Sequence, residues 1–159
     1  SLTSIISYMI LYIGADHGGF ELKEFLKQFL SESGYTVSDV GNTELDPNDD
    51  YVDFAKGVAE EVSKDISGRR GILICRSGHG VDIIANRYPQ IRSALAFTPD
   101  HAAASRNDDD ANVLSLPADY IDFETAKKIV SVWLQTPFSE KERYKRRIEK
   151  IKYLCNSIH

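Results

Sequence analysis

Cys75, Ser77, Gly78, His79 and Gly80 fall together in the stretch CRSGHG, at the exit of the apolar run GILIC. A thiolate is a base as well as a nucleophile, and the positive end of a helix dipole favours it. Backbone N–H groups in a glycine turn can receive a developing oxyanion. Thiol and amides together suit removal of a proton next to a carbonyl. A buried structural cysteine is the competing reading, because free cysteine is among the most buried residue types. The glycine turn that follows at once favours chemistry.

Asp16 and His17, in GADHGG, form a second group. The carboxylate suits sugar hydroxyls and the imidazole suits an oxygen or a phosphate. A helix N-cap with a surface histidine fits the same letters, but two adjacent glycines allow a ligand close to the backbone. His79 is a further acid–base candidate or a solvated side chain, and His101 either caps a helix or faces a crevice. Asp108 and Asp109 lie in NDDDAN. Three consecutive acids cannot all face one ion, so a solvated turn with one useful carboxylate is expected there, not a metal site. Arg143 and Arg147, one helical turn apart in KERYKRR, can fork a phosphate or line a solvated face. CRSGHG lacks the Gly-Lys-Ser/Thr of a nucleotide-binding loop, and GHGVDI lacks the third glycine of a dinucleotide fingerprint.

Five runs rich in branched or aromatic residues read as the strands that carry these groups: ILYIG, TVSDV, GILIC, RSALAF and NVLSL. Apolar stripes at helical spacing separate them, such as Leu22, Phe25, Leu26, Phe29 and Leu30, or Ala126, Ile129, Val130, Trp133 and Leu134. Strands alternating with helices imply right-handed crossovers and a five-stranded parallel sheet covered on both faces, an α/β fold. Ligands bind beyond the carboxyl ends of such strands. That edge holds ADHGG, CRSGHG, TPDH and PAD. The segment after Pro137 reads as a final charged helix.

The chain has 159 residues, 42% of them hydrophobic and 27% charged, as expected for one globular domain. We take residues 9–152 as that domain, and residues 1–8 as an extension or cloning remnant. The net charge of −5 argues against a nucleic-acid partner. SIISYMILYI is too short to span a bilayer and lacks the flanks of a secretory signal. Two cysteines make no disulfide framework, so a cytoplasmic setting is expected.

In order and spacing, DHGG, the acid before DFA, GILIC with its Ser-Gly-x-Gly, IAN, DANVL and RYKRRIEKI resemble the ribose-5-phosphate isomerase B family. That family also includes the galactose-6-phosphate isomerase subunits. The resemblance covers about Ile10 to Ile151. It implies a Rossmann-like three-layer α/β/α sandwich and a cofactor-free, metal-independent aldose–ketose isomerase of a sugar phosphate, with ribose 5-phosphate the default substrate. It also implies a homodimer, or a tetramer made of two dimers, whose active site draws on both subunits. By position, Cys75 would shuttle the proton, and Ser77 with the Gly78–Gly80 amides would hold the enediolate oxygen. Asp16 and His17 would bind substrate, and Arg143 and Arg147 would grip its phosphate.

Four departures from the family pattern bear on function. Asp108-Asp109 replaces a usual His-Asn, whose histidine is the ring-opening group. Asp119 replaces a usual arginine and would repel a phosphate. Arg76 replaces a glycine, and His79 a small or apolar residue. Some relatives carry a catalytic carboxylate at the position of Val81, and Asp82 is a lesser substitute for it than Cys75. Alternatives therefore remain open: an isomerase of another sugar, phosphorylated or acidic, or a non-catalytic sugar-binding homologue.

Overall fold

A computed structural model describes residues 9–158; the expectation for residues 1–8 lies outside them. Five strands form one parallel sheet in the order β2-β1-β3-β5-β4. They are β1 (Ile10–Ala15), β2 (Thr36–Gly41), β3 (Arg69–Cys75), β4 (Ser93–Leu95) and β5 (Val113–Pro117). The described helices are α1 (Phe20–Glu32), α2 (Tyr51–Ser63), α3 (His79–Ala85), α4 (Pro99–Asp109), α5 (Phe123–Gln135) and α6 (Glu142–Ile158). The sandwich expected from the alternating pattern is present, and the last helix runs past residue 152 to Ile158.

Period-two alternation divides the strand residues between two cores. Leu11, Ile13, Ile72, Ile74, Leu114 and Leu116 face α1 and α5, and pack with Leu26, Leu30, Ile129 and Trp133. Tyr12, Leu73, Cys75 and Val113 face α2 and α3, and pack with Ala55, Val58, Val62, Val81 and Ala85. Each fully buried Leu, Ile or Val contributes on the order of 2 kcal/mol. These two layers hold the strand ends at fixed spacing. No described helix is long and apolar enough to cross a membrane.

One charged cluster is built into the β1–β2 edge. Lys23 is fully buried, and its Nζ donates to Asp39 Oδ2 at 2.6 Å and to the Asn42 carbonyl at 2.7 Å. Lys27 donates to the same Asp39 oxygen at 2.7 Å. Burial alone would raise the Asp39 carboxyl, but the two lysines and the Gly41 N–H outweigh it and hold it below the usual range.

Candidate active site

Cys75 is the last residue of β3, paired with Pro117 of β5. The β1–β3 register ends at Ala15 opposite Ile74. Asp16 and Cys75 each follow that last pair by one residue, both at the carboxyl edge. The thiol is 4% exposed, at the end of the apolar layer under α2 and α3. It lines neither of the two ≈510 Å³ cavities described below.

That turn is shaped by Gly78, whose φ of 75° lies in the left-handed region. A Cβ there would stand 3.1 Å from the Leu116 carbonyl carbon and 3.2 Å from the Pro117 nitrogen. Only glycine fits both the angle and the space. The His79 N–H donates to Ser77 Oγ at 3.3 Å. Among the described residues the N–H groups of Gly78, Gly80 and Val81 have no main-chain acceptor outside regular structure. They are free to take a negative oxygen. The Tyr51 ring, at the start of α2, stands 2.6 Å from where a Gly80 Cβ would be and walls the turn.

Asp16 is 7% exposed, and its Oδ1 accepts the N–H groups of Gly18 at 3.0 Å and Gly19 at 3.2 Å. The cap of α1 is Gly19, not Asp16. Burial pushes the Asp16 carboxyl above its usual range; the Gly19 amide and the His17 ring pull the other way. His17 Nδ1 lies 2.8 Å from Asp49 Oδ1, which also accepts the His17 backbone N–H at 2.9 Å. His17 lines a cavity of ≈510 Å³ with Gly18, Arg76, Ala118 and Asp119. Arg76 crosses this cavity and pairs with Asp119 at 3.4 Å.

The remaining sequence candidates lie elsewhere. Asp108 and Asp109 close α4, and the chain then enters β5 at its amino end, where the Asn112 carbonyl accepts the Gly71 N–H. They are helical rather than in a turn, and it is Asp110 that forms the left-handed cap, bound by Arg106 at 2.7 Å. Burial, then the neighbouring Asp108, raises the Asp109 carboxyl, while Arg147 and Arg92 oppose the rise. Arg143 and Arg147 share a face of α6 and both flank the Tyr144 ring. The Ser139 N–H donates to the Asn107 carbonyl, which ties the start of this region to the end of α4. Within one chain the two arginines and the two acids are thus at the amino edge, away from Cys75. A second cavity of ≈510 Å³ at that edge is lined by Arg70, Arg92, Arg106, Lys145 and Lys152, but not by Arg143 or Arg147.

His79 is exposed, and the His101 ring meets Phe97 edge-on at 5.3 Å. Thr98, not His101, caps α4. Val81 is fully buried, and Asp82 Oδ1 accepts the Ser93 hydroxyl at 2.6 Å. Sequence reasoning missed Asp49 and Tyr51. Asp49 sits 32 residues from His17 in a polar loop, and no local spacing announces such a pair. Among the described residues no group of three metal-ligating side chains occurs.

A parallel α/β sandwich with an acid, a thiol and a glycine turn at its carboxyl edge defines the Rossmann-like class, with a candidate site at that edge. The comparisons specify the family. The family model described as Ribose/Galactose Isomerase matches residues 11–151, and the chain belongs to that family. A relative from Mycoplasma genitalium, named probable ribose-5-phosphate isomerase B, is 39% identical over 89% of this chain and 92% of its own length. The ribose-5-phosphate isomerase B of Mycobacterium tuberculosis is 35% identical over 91% of this chain and 88% of its own. The crystal structure of the Mycoplasma genitalium ribose-5-phosphate isomerase B with bound ribulose-5-phosphate has a TM-score of 0.89 at 37% identity. It covers 92% of this chain and 95% of that one. The Clostridium thermocellum enzyme has a TM-score of 0.90 at 37% identity, covering 95% and 100%.

Proposed function

We propose that the protein interconverts ribose 5-phosphate and ribulose 5-phosphate, with Cys75 as the proton-shuttling base. The observation that carries this is the thiol at the end of β3, at the same sheet edge as Asp16 and directly before the Gly78 turn. As a thiolate, Cys75 takes the C2 proton of the open aldose. The electron pair forms the C1=C2 bond, and the negative charge on O1 meets the N–H groups of the turn. A proton passes from O2 to O1, and the sulfur returns its own to C1, which leaves the ketone at C2. Asp16 holds substrate hydroxyls. Ser77 stays against the turn through the His79 amide.

The phosphate grip by Arg143 and Arg147 requires a second copy of the chain, because one chain holds them at the far edge. We propose a homodimer in which the amino edge of one subunit closes the carboxyl edge of the other. The test is NMR of the purified protein with ribose 5-phosphate. Appearance of ribulose 5-phosphate is expected, and no interconversion beside an active control enzyme sinks the assignment.

A second reading has its own observation. The Arg76–Asp119 pair, 3.4 Å apart in the His17 cavity, puts a carboxylate where the family pattern has an arginine. That favours a sugar with a different far end. A panel of aldoses and ketoses separates the two: turnover confined to phosphorylated pentoses removes this reading.

A further inference from the structure

We infer that the cavity at the amino edge of the sheet binds the phosphate group of a small phosphorylated molecule, at a site separate from the Arg143–Arg147 grip. The inference does not depend on the isomerase reading. The cavity of ≈510 Å³ lies where β3, α4 and α6 meet. Five cationic side chains line it, Arg70, Arg92, Arg106, Lys145 and Lys152, against three carboxylates. That local surplus of positive charge stands in a chain whose net charge is −5. Like charges gathered in a concave, partly buried space repel one another, and a bound anion relieves them.

The guanidinium groups select a phosphate. Arg106 is buried; its Nη1 donates to Asp110 Oδ1 at 2.7 Å and to the Ala111 carbonyl at 2.8 Å, and its Nε to the Thr136 carbonyl at 3.2 Å. Arg92 donates from Nε to the Asp109 carbonyl and from Nη2 to the Asp110 carbonyl, both at 2.9 Å. Among the described residues, Nη2 of Arg106 and Nη1 of Arg92 are left without a partner. Arg70 Nη1 is buried and has none either. Burial, then the Arg106 charge, lowers Arg70 to about 10 against the pull of Asp110, so it stays cationic at neutral pH. Planar guanidinium donors match the oxygens of a phosphate. The space exceeds a bare phosphate, and Phe138 and Ile148 give the rest of a small molecule an apolar wall. At about 100° per residue, Lys145, Ile148, Glu149 and Lys152 share one side of α6, and Arg143 and Arg147 fall on the opposite side. The helix therefore turns one basic face into this cavity and another away from it.

The chain carries its own reporter. Trp133 is the one tryptophan, and the Arg70 guanidinium lies over its ring at 5.4 Å from the centroid. The purified protein is titrated with inorganic phosphate at constant ionic strength, with chloride as the control, and the Trp133 indole N–H resonance is followed. A saturable shift is expected with phosphate and none with chloride. Phosphate should also raise the melting temperature, and Arg70→Met should lose both responses. Lys145→Gln should raise the midpoint by about threefold, while Arg147→Ala should leave it within about twofold. Lys145→Gln, on the exposed side of the cavity, carries the test should Arg70→Met melt early. The absence of a saturable shift overturns the inference, as does an equal response to chloride. A shift that Arg147→Ala abolishes and Lys145→Gln leaves unchanged also overturns it, because the phosphate then sits on the Arg143–Arg147 face.

Discussion

Cys75 and Asp108 lie at opposite ends of the same parallel sheet. Cys75 closes β3, whereas Asp108 is the penultimate residue of α4, which delivers the chain to the start of β5. The seven residues of β3 put roughly 20 Å between those edges. A site that needs both ends must therefore be assembled from two molecules.

That separation has a direct consequence. Cys75→Ala and Arg147→Ala should each be inactive alone. Mixed and allowed to exchange subunits, they should recover about a quarter of the wild-type rate, because half the dimers are mixed and each has one intact site. Recovery is read by the ribose 5-phosphate assay. No recovery after proven exchange would put both residues in one subunit's site, or Arg147 outside it.

Replacing Cys75 by alanine should lower the conversion rate by about 10²- to 10⁴-fold, the range for loss of a general base. The side chain is small and sits at the end of the apolar layer, so stability should fall by only about 1 kcal/mol. Kinetics and a denaturant melt together distinguish this from a structural cysteine, which would lose stability and keep its rate.

Gly78→Ala should damage both properties. The added Cβ must adopt a φ of 75° and press on the Leu116–Pro117 backbone at 3.1–3.2 Å. A cost of about 1–3 kcal/mol is expected, with loss of turnover as the amides rotate away from the oxyanion. A mere surface turn would tolerate the change, and the melting temperature reads the difference.

Lys23→Met should cost about 3 kcal/mol, since it removes one partner of a buried charge pair. Lys27 remains on Asp39 and limits the loss. The pH dependence follows from the Asp39 carboxyl, which lies below its ordinary 3.8 in the folded chain. Its stabilising contribution is complete above that value and disappears as pH falls through the folded pKa. Acid unfolding of the variant should therefore begin at higher pH than in the wild type, and circular dichroism against pH checks it.

The strand-and-helix alternation was legible because the apolar period switches cleanly between two and 3.6 residues, as in GILIC against Leu22, Leu26 and Leu30. The carboxyl-edge rule then places Asp16, His17 and the Cys75 turn in one region. The pairing of His17 with Asp49 was illegible. It spans 32 residues and depends on how a polar loop folds back over the edge, which no local pattern encodes. Arg143 and Arg147 were read correctly as one helix face, but nothing in their spacing says which edge of the sheet that helix reaches.

The sequence by itself determined the architecture and named the candidate site residues, because burial periodicity and turn glycines are local properties written residue by residue. Only the tertiary structure decided which of those residues share an end of the sheet. That choice follows from strand direction and helix length, and these carry Cys75 to one edge and Asp108 to the other.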